Sequence, residues 1–257
     1  MVTIGNVGLG DGQTKICVPL VGKTTAEILE ECRYISDKPC DIVELRVDFF
    51  ESADSVESII ELLMMIRPQL KGKGLLFTWR TKGEGGEGSI STEDYFIMLE
   101  RLIPTGLVDA IDIEYFFNPK RMERTVAFAK QHNVTVVMSN HDFDKTPAFD
   151  DIVNRLIGMK QAGADVAKLA CMPQSPKDVI TVLQATEQVK SQYPDEPLIT
   201  MAMGKLGVVT RICGSIFGNA MTFGAAKQSS APGQVEIGRL QGILEVADGV
   251  MTKVRLH

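Results

Sequence analysis

The sequence predicts a (β/α)8 TIM barrel with a short N-terminal extension, built as one domain over residues 1–257. Three observations predict it. Short apolar runs alternate with amphipathic stretches in one unbroken series of eight strand–helix units. A length of 257 residues is the usual size for such a barrel. No Pro/Ser-rich linker or block of charge divides the chain. The other architecture with the same alternation is a doubly wound open sheet.

The elements follow in order. Residues 1–15 are Gly-rich and form an irregular or hairpin-like N-terminal segment. Ile16–Pro19 is a short apolar strand and Thr24–Ser36 a helix. Ile42–Val47 is a strand followed by a helix over Ser55–Leu70. Leu75–Trp79 is a strand, and a Gly-rich loop leads into the helix Ser91–Ile103. Ala110–Glu114 precedes Pro119–Gln131, which opens with proline at a favourable first-turn position. Val134–Ser139 is a β-branched strand, after which Thr146 and Pro147 start a helix. Val166–Ala170 is a strand, and Ser175 and Pro176 start a helix running to about Tyr193. Leu198–Met201 precedes a helix over Val208–Phe217. Met221–Phe223 is the eighth strand, and Val235–Thr252 closes the chain as a helix.

Strand side chains alternate between faces. In the second strand Val43, Leu45 and Val47 share one face, and Glu44, Arg46 and Asp48 the other. The third strand sets Phe77 and Trp79 against Thr78 and Arg80, and the fourth sets Ile111 and Ile113 against Asp112 and Glu114. In a barrel the apolar face meets the helices, so the charges point towards the axis. Interiors of such barrels are normally packed with branched apolar residues, and buried charges are costly. One account is a structural salt-bridge network. The other is a site for a small anionic ligand, with Arg46, Arg80 and Arg211 as counter-charges suited to carboxylate recognition.

Composition narrows the function classes. Hydrophobic residues make up 44% and charged residues 23%, an ordinary globular balance. The net charge of −6 argues against a nucleic-acid partner. No apolar run is long enough to span a bilayer, and the N-terminus lacks the form of a signal peptide. The five cysteines (Cys17, Cys32, Cys40, Cys171, Cys213) are odd in number and form no CxxC pair, so they read as reduced thiols in a cytoplasmic protein. No His/Cys/Asp/Glu spacing indicates a metal site, so no metal is expected.

Lys168 sits in the middle of the apolar run Val166–Ala170. A lysine there must be paired, bear a heavy desolvation cost or lose its proton, and an unprotonated lysine is an amine nucleophile. Of the three histidines, His257 is the last residue and His132 lies at a helix end; His141 lies just beyond a barrel strand, where catalytic groups collect. One strand apart, Lys168 reads as a Schiff-base lysine and His141 as the acid/base working on the imine. Other motifs fall away. The GxGxxG match at Gly83–Gly88 carries Glu84 and Glu87, which would repel a pyrophosphate; the loop reads instead as a mobile one that swings a glutamate over a site. Lys23 and Thr24 resemble a P-loop end, but Cys17 stands where its upstream glycine is required. Met201, Met203 and Met221 read as core filling.

Several ordered motifs together resemble the type I 3-dehydroquinate dehydratases of the shikimate pathway, the route to the aromatic amino acids. They are Glu44-Leu-Arg46-Val-Asp48, Phe77-Thr-Trp-Arg80, Glu84-Gly-Gly-Glu87, Met138-Ser-Asn-His141-Asp142-Phe, Lys168-Leu-Ala-Cys-Met-Pro-Gln and Ser230-Ala-Pro-Gly-Gln234. The resemblance spans nearly the whole chain. It implies a homodimeric lyase that converts 3-dehydroquinate to 3-dehydroshikimate without metal or cofactor. It implies Lys168 as the imine-forming residue, His141 as general acid/base and Glu84 as the glutamate that positions the histidine. Glu44, Arg46, Arg80, Arg211, Ser230 and Gln234 match the family's substrate-contacting positions. Pro19 stands where some members carry a serine. The segment Ser229–Gln234 is small, contains glycine and proline, and reads as a closing loop. Two rivals are another Schiff-base barrel, such as a class I aldolase, and a catalytically silent ligand-binding barrel. The first would usually need a phosphate nest, which residues 227–234 lack; the second would leave both His141 and Lys168 unexplained.

Overall fold

The computed structural model describes residues 1–226 and 230–254. Two short strands, β1 (Val2–Ile4) and β2 (Val7–Leu9), form an antiparallel hairpin. Eight parallel strands then follow in sequence order: β3 (Lys15–Leu20), β4 (Ile42–Arg46), β5 (Gly74–Thr78), β6 (Ala110–Glu114), β7 (Thr135–Asp142), β8 (Val166–Cys171), β9 (Leu198–Ala202) and β10 (Met221–Ala225). β10 pairs back onto β3, and a bridge between Leu198 and Asn219 brings the bottom of β9 to the approach to β10. The sheet therefore curls into a ring, which sets aside the open doubly wound alternative. The helices α1 (Thr25–Ile35), α2 (Val56–Ile66), α3 (Thr92–Leu102), α4 (Pro119–Gln131), α5 (Phe149–Gln161), α6 (Pro176–Gln192), α7 (Val208–Ile212) and α8 (Ile237–Val254) alternate with the strands.

Strand alternation sorts the core into two. Val43, Leu45, Phe77, Ile111, Ile113 and Leu169 belong to the large core shared with the helices. Ile42, Leu76, Ala110, Val137, Val166 and Ile199 form a second, interior core, joined by Ile4 and Leu9 of the hairpin. The hairpin thus supplies apolar side chains to the interior. The approach is close: a Cβ on Gly74 would lie 2.5 Å from the Ile4 carbonyl oxygen. Above this apolar floor the inward side chains become charged.

Local signals explain the helix boundaries. Thr24 caps α1 in a reciprocal box with Glu27, and Asp178 closes a box on Ser175 at the start of α6. Several sequence boundaries shift, among them the start of the last helix, which moves from Val235 to Ile237 because Val235 and Glu236 pair with β10 as a strand. α2 ends at Ile66 and the chain continues as a 3-10 turn over Arg67–Leu70, where Pro68 removes a backbone donor. α5 begins at Phe149 rather than at Thr146, whose hydroxyl instead donates to the Met172 carbonyl at 3.2 Å. α7 stops at Ile212, and the expected continuation is a 3-10 turn, Gly214–Phe217.

At the top of the barrel β9 and β10 part, and a two-residue strand, β11 (Val235–Glu236), pairs with β10 in the gap. The segment before β11 is tied across it by the Gly204 N–H, which donates to the Pro232 carbonyl at 3.1 Å.

Candidate active site

A cavity of about 460 Å³, its open mouth included, lies at the C-terminal ends of the strands. Nine of its lining residues are Lys168, His141, Glu84, Glu44, Arg46, Arg80, Arg211, Ser230 and Gln234. Residues spread over 190 positions of sequence meet there because consecutive parallel strands all end at the same face of the ring.

Lys168 is 4% exposed. Its Nζ lies 3.4 Å from Glu44 Oε1 and 3.5 Å from Asp112 Oδ2, and 4.5 Å from the centre of the Phe223 ring. Of the outcomes open to a buried lysine, pairing is the one observed: its nearest charges are carboxylates. Glu44 is held from the other side by the Thr78 hydroxyl at 2.9 Å. Asp112 is fully buried; its Oδ1 accepts from Ser139 at 2.7 Å and lies 2.8 Å from Arg80 Nη2. Burial pushes the Asp112 carboxyl up, but Arg80, Lys168 and the Ser139 hydroxyl outweigh it and hold it below its ordinary value.

His141 is the penultimate residue of β7, inside the strand rather than beyond it. Its Nδ1 lies 2.9 Å from Glu84 Oε2, and the same oxygen accepts the His141 backbone N–H at 2.9 Å. The other Glu84 oxygen accepts from the Asn140 amide at 3.0 Å. Burial, followed by the positive charges of Arg80, Lys168 and Arg46, pushes the imidazole well below its ordinary value. Burial likewise pushes the Glu84 carboxyl up to about 8, with Glu114 and Asp112 adding to it and Arg80 and Asn140 opposing it. The two groups share a hydrogen bond and titrate as a pair.

The three arginines have unequal duties. Arg46 grips Asp48 through two hydrogen bonds of 2.8 Å, and Asp48 also accepts the Arg80 and Glu87 backbone N–H groups. Arg80 is surrounded by Asp112, Glu114 and Glu84 at 2.8, 2.9 and 3.6 Å. The salt-bridge network considered as an alternative is thus present, inside the same site. Arg211 differs. It is 1% exposed; its hydrogen bonds run to Met201 Sδ at 3.3 Å and the Pro232 carbonyl at 3.2 Å, and its buried Nε has no hydrogen-bond partner among the described residues. Burial brings it down to about 10. A buried guanidinium facing a cavity with so little compensation is a ready seat for a carboxylate.

The glutamate-bearing loop is anchored rather than swinging. Its Gly86 N–H donates to the Thr81 carbonyl, and a Cβ on Gly86 would lie 1.8 Å from the Arg80 carbonyl oxygen. Gly85 has φ +82° and packs against Phe143. Of the closing segment, Ser229 lies outside the described residues, as do Lys227 and Gln228. Ser230 and Gln234 line the cavity and bond each other twice, at 3.0 Å each. Pro19 is buried in β3, level with Glu44 in the register. Met201 and Met203 are more than core filling, since both line the cavity. The sequence reading placed Asp112 and Glu114 on the inner face without giving them a role, and it passed over Arg155, whose Nη1 donates to Asn140 Oδ1 at 2.8 Å. Arg155 stands on α5, outside the barrel, and no strand pattern marks it. Among the described residues no group of three or more metal-ligating side chains comes together.

With this geometry in view, residues 16–250 match the model of the type I 3-dehydroquinases. The chain belongs to that family. It is 46% identical to the 3-dehydroquinate dehydratase of Bacillus licheniformis over 96% of this chain and 97% of that one. It is 48% identical to that of Klebsiella pneumoniae, over 95% and 98%. Among solved structures it is similar to the type I 3-dehydroquinate dehydratase of Clostridium difficile with covalently modified comenic acid. That match has a TM-score of 0.93 and 43% identity over 97% of this chain and 98% of that chain.

Proposed function

We propose that the chain is a lyase that dehydrates 3-dehydroquinate to 3-dehydroshikimate, with Lys168 as the imine-forming residue and His141 as the acid/base. The observation that carries the assignment is that Lys168, His141 and the under-compensated Arg211 face one cavity. The substrate has a ketone beside the carbon that loses a proton, and a hydroxyl one carbon further on. The Lys168 amine adds to the ketone, and water leaves to give an iminium. Glu44 and Asp112 flank that nitrogen and suit its positive charge. His141 takes the proton, the electron pair moves to the iminium nitrogen, and the enamine expels the hydroxyl as His141 returns the proton to it. Hydrolysis of the product iminium restores Lys168. Arg211 pairs with the substrate carboxylate, while Ser230 and Gln234 cover the ligand. Glu44, Arg46 and Arg80 complete the contacts, Arg46 and Arg80 as the charged frame that fixes the others.

The proposal includes a cytoplasmic homodimer. All five thiols are free, as a reducing compartment keeps them. Leu206 just before α7, Val209 on it, Ile216 on the turn after it, and Ile243 and Val246 on α8 are exposed apolar side chains that a second copy would cover. Among the described residues no helix is long and apolar enough to cross a membrane.

Enone formation from 3-dehydroquinate, followed spectrophotometrically, tests the activity. Borohydride reduction with substrate, followed by peptide mapping, tests the residue. Mass added at Lys168 is expected; modification of a different lysine, or turnover of sugar phosphates instead, removes the assignment.

A further inference from the structure

His141 is held by Glu84, and Glu84 is itself held by a chain that leaves the barrel. Asn140 precedes His141 on β7, so its side chain points away from the barrel axis, yet it is only 6% exposed. Its Nδ2 donates to Glu84 Oε1 at 3.0 Å, and its Oδ1 accepts from Arg155 Nη1 at 2.8 Å. Arg155 comes from α5. Asp151, one turn earlier, lies 3.7 Å from its Nη2, and its guanidinium stacks 5.5 Å from the centre of the Phe116 ring.

Chemistry fixes the direction of this chain. An arginine has only donors, so the Asn140 oxygen must face it. The amide nitrogen must then face Glu84 and donate to it. With Oε1 accepting from Asn140 and Oε2 accepting the His141 backbone N–H, the carboxylate form is the one best supplied with donors. In that form Nδ1 of His141 carries the proton and Nε2 is left with a lone pair for the substrate. A protonated Glu84 donating to Nδ1 would move the imidazole proton to Nε2 and disable the base.

We propose that Asn140 and Arg155 are positioning residues that hold Glu84 as the acceptor of His141 and so keep His141 in its basic tautomer. The inference rests on the acid/base reading of His141. The other charges around the dyad are Arg80 on the turn after β5, Asp112 and Glu114 on β6, Lys168 on β8, and Arg46 and Glu44 on β4. None of them donates to Glu84 Oε1, which makes the Asn140 contribution separable.

The test is the pH–rate profile of the full-length protein with Asn140→Ala, Asn140→Asp, Arg155→Met and the Asn140→Ala/Arg155→Met pair, each with borohydride trapping at Lys168. Losing the amide donor should move the acid limb of kcat up by about one pH unit. At pH 7 that is about tenfold in kcat, with KM little changed and trapping retained. Asn140→Asp keeps the shape and sets a carboxylate against Glu84, so its limb should move further the same way; it also serves if the alanine variant does not fold. Arg155→Met should shift the limb less, and should add nothing once Asn140 is alanine. An unmoved limb in both Asn140 variants, or an Arg155 effect that simply adds, overturns the chain. Wild-type protein that neither turns over nor is trapped would instead overturn the function on which it rests.

Discussion

On the proposed assignment Lys168 and His141 serve different steps, and single substitutions separate them. Only an amine condenses with a ketone, so Lys168→Ala should abolish both turnover and trapping. His141→Ala should lose about 10²–10⁴ in turnover, the usual worth of general acid–base help, yet still be trapped as an adduct. If proton transfers during imine formation also use His141, the adduct forms and releases slowly. Near-normal turnover in His141→Ala would assign the base elsewhere. The pH dependence follows from the Glu84 pair. Burial raises the Glu84 carboxyl to about 8 and lowers His141 well below 6.5. On acidification the first proton therefore goes to the Glu84–His141 pair, and activity should fall as pH drops through about 8 rather than through 6.5. In Glu84→Gln that step is absent, so the remaining limb should lie below 6.5. A Glu84→Gln profile that overlays the wild type would show that another group controls the limb. Arg211 gives the third residue-scale prediction. Truncating one member of a buried charge pair costs about 2–5 kcal/mol, so Arg211→Met should lower kcat/KM by about 30-fold or more. Trapping at saturating substrate should survive.

Two loops show how elements turn residues into a site. The segment Thr81–Gly88 looks in sequence like a flexible glycine loop. Three of its four glycines are there for the opposite reason: they permit a close approach that a side chain would block, at the Phe143 ring for Gly85, at the Arg80 carbonyl for Gly86 and at the Trp79 ring for Gly88. Glycine content alone does not distinguish freedom from tight packing. The segment before β11 is tied to the top of β9, where Gly233 has φ +82° and a Cβ would meet the Gly204 carbonyl oxygen at 2.3 Å. Ser230 and Gln234 bond each other, so a substrate contact from either one exchanges partners rather than creating them. Gln234→Ala should then cost about one hydrogen bond, roughly 0.5–1.5 kcal/mol or 2–10-fold, and mostly in KM. An unchanged kcat/KM would mean that the loop does not touch substrate.

At the scale of the whole molecule, chemistry and stability are stacked at opposite ends of the barrel. The hairpin β1–β2 contributes Ile4 and Leu9 to the interior core beneath the charged layer. Ile4 is fully buried, so Ile4→Ala should destabilise the fold by about 2–5 kcal/mol in urea unfolding. Turnover per folded molecule should stay the same; a matching loss of kcat would mean that the floor also shapes the site.

Strand periodicity already implied the barrel, the inward charges at Glu44, Arg46, Arg80, Asp112 and Glu114, and the lysine set among apolar neighbours, because alternation along a strand is a local property. The ordered motifs likewise marked Glu84, Ser230 and Gln234, and Arg211 followed only from the resemblance to the family. What sequence does not contain is which charge meets which. That Lys168 faces two carboxylates, that Arg46 and Arg80 are consumed by ion pairs while the Nε of Arg211 is not, and that Arg155 reaches in from α5 depend on distances of a few ångströms between distant segments. Electrostatic and hydrogen-bond energies fall off steeply with those distances and rise with burial. Closing the ring sets both quantities, and so separates a paired charged framework from the less compensated Arg211, the division on which the proposed roles of base, nucleophile and anion seat rest.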